Sequence, residues 1–216
     1  MILVYCLSDI HGEKERFDKM LELIDFSSND TMYILGDVID RGPYGIDIIR
    51  HIMKTSNIQL LLGNHEDMLL QSFANPIWRK MWISNGGHKT YHELVYICES
   101  AEREEIINFL KSVPDHLDIE VNGIKYHLVH GYPADKRDDK LWSRPNPGDE
   151  IRYTDKTVII GHTPTEYYDI SSILNNEPMK IYFGKGFINL DCGCGHKIER
   201  ARLGCLRLDD MKEFYI

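Results

Sequence analysis

The first third of the chain alternates short apolar runs with segments of helical periodicity. Phe17, Met20, Leu21 and Ile24 recur at the i, i+3, i+4, i+7 spacing of a helix that buries one face. A second helix is predicted around residues 46–53. Three apolar runs have the length of buried strands: residues 2–7, 32–35 and 59–62. The order predicts β-α-β-α-β, an α/β fold whose site lies at the carboxyl edge of the strands.

The pattern changes after residue 66. Residues 66–113 have mainly helical character, interrupted by Pro76 and Gly86-Gly87, and we predict a helical cap inserted beside the site. Alternating runs on both sides of Asn122-Gly123 predict a hairpin over residues 118–129. Residues 132–152 are predicted to form a long loop. Further strands are predicted at residues 157–160, 179–183, 187–190 and 205–208. No repeat or linker divides the chain, so one domain, 1–216, is expected.

Composition and charge limit the kinds of binding partner and the cellular location that we expect. The 216 residues carry a net charge of -9, which disfavours general binding to nucleic acid or anionic membranes. No apolar run reaches the ~18 residues that a membrane helix needs. The five cysteines are an odd number, and Cys6 lies within an apolar run as a core residue does. We therefore expect no nucleic-acid or membrane partner and a reducing cytoplasmic location.

Five short polar motifs follow these apolar runs. They read SDIHG from Ser8, GDVIDRG from Gly36, GNHE from Gly63, HG from His130 and GHTP from Gly161. Each motif alone is also typical of a turn, but five in this order, each after an apolar run, argue for a site. Their potential metal ligands are Asp9, His11, Asp37, Asn64, His130 and His162.

These ligands suffice for two ions that share one carboxylate, and Asp37 is the natural bridge because it has two oxygens. Mixed oxygen and nitrogen ligands suit Mn, Fe or Zn better than calcium. Two such ions close together promote displacement at phosphorus. A phosphate substrate also needs local cations, because the chain as a whole is acidic.

The motifs resemble those of the calcineurin-like metallophosphoesterase superfamily, and especially the bacterial and bacteriophage-lambda-type serine/threonine phosphatases of its phosphoprotein phosphatase branch. Ser8 stands where that branch has glycine, and Ile39 where it has valine. Pro164 occupies a position where many other members have a second metal-binding histidine. The resemblance implies an α/β/β/α fold, in which helices flank a central β-sandwich.

The resemblance also implies residue roles. Asp9, His11 and Asp37 correspond to ligands of a first divalent ion, with Mn expected first, and Asp37, Asn64, His130 and His162 to those of a second. His65 corresponds to the general acid and Asp40 to the residue that orients its ring. Arg41 and Arg144 correspond to the phosphate-binding arginines, with Arg137 and Arg152 as alternatives to Arg144. Gly86-Gly87 with Thr90 resembles an element that borders the substrate groove in these bacterial enzymes. The alternative is that the two glycines only break a helix.

The expected activity is hydrolysis of phosphoserine, phosphothreonine or small phosphomonoesters by direct attack of a metal-bridging hydroxide. An alternative is hydrolysis of dinucleoside polyphosphates such as diadenosine tetraphosphate, since Asp40-Arg41-Gly42-Pro43 fits both; Glu66 favours the protein phosphatase. A second alternative is a non-catalytic scaffold, against which the intact ligand positions argue. A weaker alternative is a thiolate metal site formed by Cys192, Cys194 and His196. We expect instead that the small residues of this segment pack against strands. The sequence leaves the oligomeric state open.

Overall fold

Ten strands form two sheets in a computed structural model that describes residues 2–152 and 155–216. In chain order the strands are β1 Val4–Leu7, β2 Thr31–Ile34, β3 Ile58–Leu60, β4 His116–Val121, β5 Ile124–Val129, β6 Thr157–Ile160, β7 Tyr182–Phe183, β8 Phe187–Asn189, β9 Gly204–Arg207 and β10 Lys212–Tyr215. The first sheet has the order β10-β9-β1-β2-β3 and the second β4-β5-β6-β8-β7. Strands β1, β2 and β3 run parallel, as do β5, β6 and β8. Both sheets are therefore mixed: the parallel strands form one side of the first sheet and the centre of the second.

The sheets pack face to face, and strand alternation in β1 explains how. Cys6 points into the apolar layer between the sheets, where it meets Leu128 and Ile159 of the second sheet. Its neighbours Tyr5 and Leu7 point the other way, into the core beneath the helices. The α/β fold with a helix-flanked β-sandwich, expected from the resemblance, is confirmed, as is the core position of Cys6.

Eight α-helices cover the sheets. They are α1 Lys14–Leu23, α2 Gly45–Lys54, α3 Asn64–Ser72, α4 Pro76–Trp82, α5 His88–His92, α6 Ser100–Ser112, α7 Arg137–Trp142 and α8 Ile170–Leu174 among the described residues. Helix α2, predicted from the sequence, buries Ile46, Ile48, Ile49 and Ile52, so one apolar face packs into the core. None of these helices has the length and apolarity to cross a membrane.

The helical segment α3–α6 bends sharply at Gly86. A π-helical turn, Ile83–Gly87, joins α4 to α5, and Gly86 within it has φ 104°, a conformation that glycine tolerates best. A second π-helical turn, Glu93–Ile97, follows α5. The predicted helical character between residues 66 and 113 is confirmed, and the break at Gly86-Gly87 is real.

Two predictions of local structure were wrong, and one strand was not predicted. The predicted loop at 132–152 contains α7, whose RDDKLW sequence buries only Leu141 and so lacks an apolar period. The strand predicted at 179–183 covers only Tyr182–Phe183, since Met179 instead pairs with the carbonyl oxygen of Arg200. The edge strand β10 was missed because its side chains are exposed or half-buried and show no apolar run. The predicted hairpin at Asn122-Gly123 is present, with both residues at positive φ.

Candidate metal and phosphate site

The five polar motifs meet where parallel strands of both sheets end. Asp9 and His11 follow β1, Asp37 follows β2, Asn64 begins α3 after β3, His130 follows β5 and His162 follows β6. Backbone hydrogen bonds link neighbouring motifs: His11 N donates to Asp37 O at 2.9 Å, and Gly161 N donates to His130 O at 2.8 Å. The structure therefore gathers all six predicted ligands at one edge of the sandwich, as the strand order predicts.

The backbone at this edge is strained. Ten described residues other than glycine have positive φ, and six of them belong to the predicted site: Asp9, His11, Asp37, Asp40, Arg41 and His162. Left-handed backbone is uncommon outside glycine, and it concentrates where side chains must be aimed at a common point. The strain follows from folding polar motifs into tight turns directly after buried strands.

Asp37 lies between two groups of histidines. Its Oδ2 atom is 3.7 Å from His11 Nε2 and 3.8 Å from His65 Nε2, while its Oδ1 atom is 3.5 Å from His130 Nε2. Ligand atoms of His11, Asp37 and His65 lie within 4.8 Å of one another, and so do those of Asp37, His130 and His162. Asp37 belongs to both groups, which is the arrangement expected of a bridging carboxylate.

Hydrogen bonds orient the histidines toward this centre. His11 Nδ1 lies 3.1 Å from Ile39 O, and His130 Nδ1 lies 2.6 Å from Leu35 O. Since a carbonyl oxygen only accepts, each Nδ1 carries a proton, and Nε2 is the ring nitrogen that faces the centre, where a metal ion would bind. Asn64 Oδ1 completes the second group, 2.9 Å from His130 Nε2 and 3.0 Å from His162 Nδ1.

The donor set fits two divalent ions. It consists of carboxylate oxygens, one amide oxygen and imidazole nitrogens, almost all of them buried. Gaps of 3.5–3.7 Å between Asp37 oxygens and the Nε2 atoms of His130 and His11 are too long for good hydrogen bonds, but they suit two ligands of one ion. Asp9 approaches the first group, with its Oδ1 atom 3.8 Å from His11 Nε2. The identity of the ions does not follow from these distances.

A buried triad surrounds the predicted acid. His65 Nδ1 lies 2.6 Å from Asp40 Oδ2, and the same oxygen accepts a 2.7 Å hydrogen bond from Trp82 Nε1. Asp40 N donates to Thr90 Oγ1 at 3.1 Å. Asp40 is fully buried, so this pairing fixes the ring and turns His65 Nε2 toward the metal residues. Helices α4 and α5 thus supply two of the contacts that hold the acid in position.

The two predicted arginines reach the same centre. Arg41 Nη2 lies 3.4 Å from His65 Nε2, and Arg144 Nη2 lies 3.3 Å from His162 Nε2. The alternatives to Arg144 are engaged elsewhere. Arg137 Nη2 donates to Asp67 at 2.7 Å, and the Arg152 side chain is 82% exposed beside Glu150. Arg144 is therefore the second arginine that the fold places at the site.

Glu66 organises the loop that carries Asp37. Its carboxylate accepts hydrogen bonds from the backbone N–H groups of Asp37 at 2.8 Å, Val38 at 2.9 Å and Gly63 at 3.0 Å. Gly63 must lack a side chain, because a Cβ atom there would lie 2.2 Å from Asp37 Oδ1. Glu66 is thus a structural anchor for the centre, which explains its place in the motif without reference to a substrate.

Burial and charge shift the pKa values of this cluster. Burial lowers the pKa of His130, but the Asp37 carboxylate outweighs this effect and raises it to about 10. Burial and the charge of His130 lower the pKa of His162 to about 3. Burial, reinforced by the Asp37 charge, raises the pKa of Glu66 to about 7. Burial and neighbouring charges therefore shift these pKa values in opposite directions. Divalent cations bound at this centre would stabilise the ionised carboxylates.

Sequence reasoning missed three residues at this centre. Trp82 was hidden in a helix 42 positions from its partner Asp40. Asp191 is a further buried carboxylate, and burial with the nearby charge of Asp9 raises its pKa well above the usual range. His196 was considered only with the cysteines, but its Nε2 atom lies 3.4 Å from Arg41 Nη1 at the exposed rim. No local pattern marks these long-range contacts.

The cysteine alternative finds no support in the described part of the chain. Cys192 and Cys194 are buried, and Cys194 Sγ lies 3.6 Å from Ile10 O. The metal-compatible clusters formed by residues 2–152 and 155–216 contain no cysteine. His127, three residues before His130, is 4% exposed, and its Nδ1 atom lies 2.8 Å from Asp118 Oδ1, outside the metal-compatible clusters.

Comparison with curated proteins gives partial matches. Symmetrical bis(5'-nucleosyl)-tetraphosphatase from Delftia acidovorans is 32% identical over 113 residues, which cover 51% of this chain and 37% of that protein. The protein of the same name from Paracidovorax citrulli is 28% identical over 131 residues, 59% of this chain and 43% of that protein. The chain thus spans less than half the length of these relatives.

Solved structures share the fold of this chain at low sequence identity. A Saccharomyces cerevisiae serine/threonine phosphatase has TM-score 0.65 at 12% identity, covering 100% of this chain and 79% of the other. A candidate diadenosine tetraphosphatase has TM-score 0.64 at 16% identity, covering 99% of this chain and 92% of the other.

The family is shown by a sequence model. The model for calcineurin-like phosphoesterases matches residues 2–196. The chain therefore belongs to the calcineurin-like phosphoesterase family.

Proposed function

We propose that this chain hydrolyses dinucleoside polyphosphates at a phosphoanhydride bond, with the centre around Asp37 as its active site. The observation that carries the proposal is the partial similarity to symmetrical bis(5'-nucleosyl)-tetraphosphatases, at 28–32% identity over 51–59% of the chain. It reverses the order expected from the motifs, which favoured phosphomonoesters. Glu66 had supported the phosphomonoester reading, but its role in the fold is to hold the loop of Asp37.

The cations beside the metal residues support this substrate class. A polyphosphate carries negative charge on the phosphates that flank the one attacked, so it needs cations beyond the two ions. Arg41 turns one guanidinium nitrogen toward His65 and the other toward His196 at the rim, each at 3.4 Å. Arg144 lies beside His162. These two guanidinium groups can hold non-bridging oxygens of adjacent phosphates with charge-assisted hydrogen bonds.

The residues of the chain divide the chemistry among them. Asp9, His11, Asp37, Asn64, His130 and His162 would hold two divalent ions, which when bound supply a nucleophilic water and offset charge at phosphorus. Arg41 and Arg144 orient the phosphoryl group. His65 Nε2 delivers a proton to the leaving oxygen, and Asp40 keeps the other ring nitrogen protonated and the ring in place.

Hydrolysis of phosphoserine or phosphothreonine is the second candidate, and the His65–Asp40 pair favours it. An alkoxide leaves poorly without a proton, whereas a nucleoside diphosphate leaves readily as an anion. A buried, rigidly oriented acid therefore contributes more to phosphomonoester hydrolysis than to phosphoanhydride hydrolysis. The 2.6 Å contact between His65 Nδ1 and Asp40 Oδ2 is compatible with both activities.

The test compares kcat/KM for diadenosine tetraphosphate and a phosphoserine peptide at equal metal concentration and ionic strength. We expect a preference for the dinucleotide above about 100-fold, which corresponds to roughly 2.7 kcal/mol of transition-state stabilisation. Symmetrical cleavage gives two molecules of ADP, whereas asymmetrical cleavage gives AMP and ATP, so chromatography of the products identifies the bond attacked. Preference for the peptide would reject the proposal in favour of a protein phosphatase.

A further inference from the structure

A cavity of about 580 Å³ opens beside the phosphate-binding loop, outside the set of metal residues. Its volume falls within the usual range of small-molecule sites, roughly 300–1,000 Å³. One wall comes from the loop and the start of α2, and the other from the helical segment α3–α6. The lining includes Pro43, Tyr44, Asp47, Lys89, Glu93 and Ile97. None of these residues has a role in the chemistry described above.

This cavity is tied directly to Arg41. Lys89 Nζ donates a 3.0 Å hydrogen bond to the carbonyl oxygen of Arg41, and Arg41 N donates to Gly86 O at 3.1 Å. Tyr44 follows Arg41 by three residues, so their Cα atoms are at most roughly 11 Å apart. The cavity therefore lies next to the backbone of the loop that carries the Arg41 guanidinium.

Apolar surface lines the cavity. Tyr44 is 46% exposed and Ile97 is 64% exposed, so folding leaves an aromatic ring and an aliphatic side chain open to solvent. A tyrosine ring offers a face on which a flat heterocycle stacks with little loss of conformational entropy. The aliphatic side chain of Ile97 adds apolar contact area to the same lining. This composition suits a nucleobase.

The cavity lining carries charges of both signs. Lys89 contributes an ammonium group, which is bonded to the carbonyl oxygen of Arg41. Asp47 and Glu93 contribute carboxylates, and each gives one carboxylate oxygen to Arg50, at 2.7 and 2.8 Å. The second oxygen of each can accept a hydrogen bond from a ribose hydroxyl or an exocyclic amine. The lining thus offers a cation for a phosphate, and carboxylate oxygens for the N–H and O–H donors of a nucleoside.

We propose that this cavity binds one nucleoside of a dinucleoside polyphosphate, with the base stacked on Tyr44 and the adjoining phosphates at Lys89 and Arg41. The inference rests on the proposed function and extends it by naming the residues that select a nucleotide over a simple phosphate ester. It makes Tyr44 a specificity residue that does not touch the reacting atoms.

The experiment compares Tyr44→Ala with the matched control Phe73→Ala. Both side chains are aromatic and 46% exposed, but Phe73 does not line the cavity. The quantity measured is kcat/KM for diadenosine tetraphosphate divided by kcat/KM for p-nitrophenyl phosphate, which carries no nucleoside. Loss of one base–aromatic stack should lower this ratio by about 5- to 160-fold in Tyr44→Ala. Phe73→Ala should leave it unchanged, and Tyr44→Phe should retain most of it.

A binding measurement supplies an independent readout. The inhibition constant of ADP against p-nitrophenyl phosphate hydrolysis should rise in Tyr44→Ala by about the same factor, while that of inorganic phosphate should stay constant. Equal ratios in Tyr44→Ala and Phe73→Ala, in an enzyme that does cleave the dinucleotide, would overturn the nucleoside site and leave the proposed function standing. A wild-type chain that does not cleave the dinucleotide would overturn the proposed function and this inference with it. A loss confined to phosphopeptide hydrolysis would identify the cavity as a peptide site and also overturn the inference.

Discussion

Replacing His65 with asparagine tests the acid more sharply than any other single change. The side chain is 2% exposed, with Nδ1 bonded to Asp40 and Nε2 facing the metal residues. Asparagine fills part of the same space but has no proton to release at neutral pH. Asp40 keeps its 2.7 Å hydrogen bond from Trp82, so its carboxylate remains partnered in the variant.

The expected loss follows from these contacts. A positioned general acid contributes about 10²- to 10⁴-fold to rate, equivalent to roughly 2.7–5.4 kcal/mol. The loss of the His65–Asp40 hydrogen bond costs about 1.5–3 kcal/mol of stability, since one partner is charged. We expect a folded enzyme whose kcat falls in proportion to the basicity of the leaving group. The loss should be largest for a phosphoserine peptide and small for p-nitrophenyl phosphate.

The assay measures kcat for both esters and the metal content of each variant. His51→Asn is the control, because that ring packs edge-on against Phe17, with centroids 5.6 Å apart, under helix α1. An equal loss for both leaving groups would refute the assignment of His65 as the acid. A loss of bound metal in His65→Asn would instead make His65 a ligand, in line with its place in the cluster with His11 and Asp37.

Two further predictions concern the arginines and a buried carboxylate. Arg41→Ala and Arg144→Ala should each raise the barrier in kcat/KM by about 1.5–3 kcal/mol, and unchanged kinetics in Arg144→Ala would show that another residue binds the phosphate. Burial raises the pKa of Asp30, but hydrogen bonds from Ser27 and Leu3 outweigh it and lower the pKa. Asp30→Asn should therefore cost about 1–3 kcal/mol of unfolding free energy at pH 7. That difference is fully present above the ordinary carboxyl pKa and is lost as pH falls through the lowered one, which urea unfolding at pH 7 and pH 3 measures; a difference independent of pH would contradict the linkage.

Much of the centre could be predicted because its residues lie next to regular elements. Apolar periodicity predicts the alternation of β1, β2 and β3 with helices, and their parallel arrangement in the structure places Asp9, Asp37 and Asn64 at one edge. His130 was harder to place, since it belongs to the second sheet and packing of the two sheets brings it to Asp37. The placement of His130 beside Asp37 was predicted by the resemblance to known motifs and not by periodicity.

Contacts between distant segments could not be predicted. Trp82 reaches Asp40, and Lys89 reaches the Arg41 carbonyl, only because the chain bends at Gly86 against the phosphate-binding loop. Helix α7 was missed because its charged sequence has no apolar face. In the structure Lys140 O accepts a hydrogen bond from Gly131 N, which ties the helix before Arg144 to the His130 motif. Sequence patterns report local burial, whereas these contacts depend on the final packing of separate elements.

The central claim is that two ions share the Asp37 carboxylate, and metal stoichiometry tests it most directly. The chain should be stripped with a chelator and titrated with Mn²⁺, with activity and bound metal measured at each step by elemental analysis. Because Asp37 Oδ1 and Oδ2 face separate groups of ligands, we predict full activity only at two ions per chain. Asp37→Asn should lower both occupancies. Full activity with no more than one ion per chain would contradict the account.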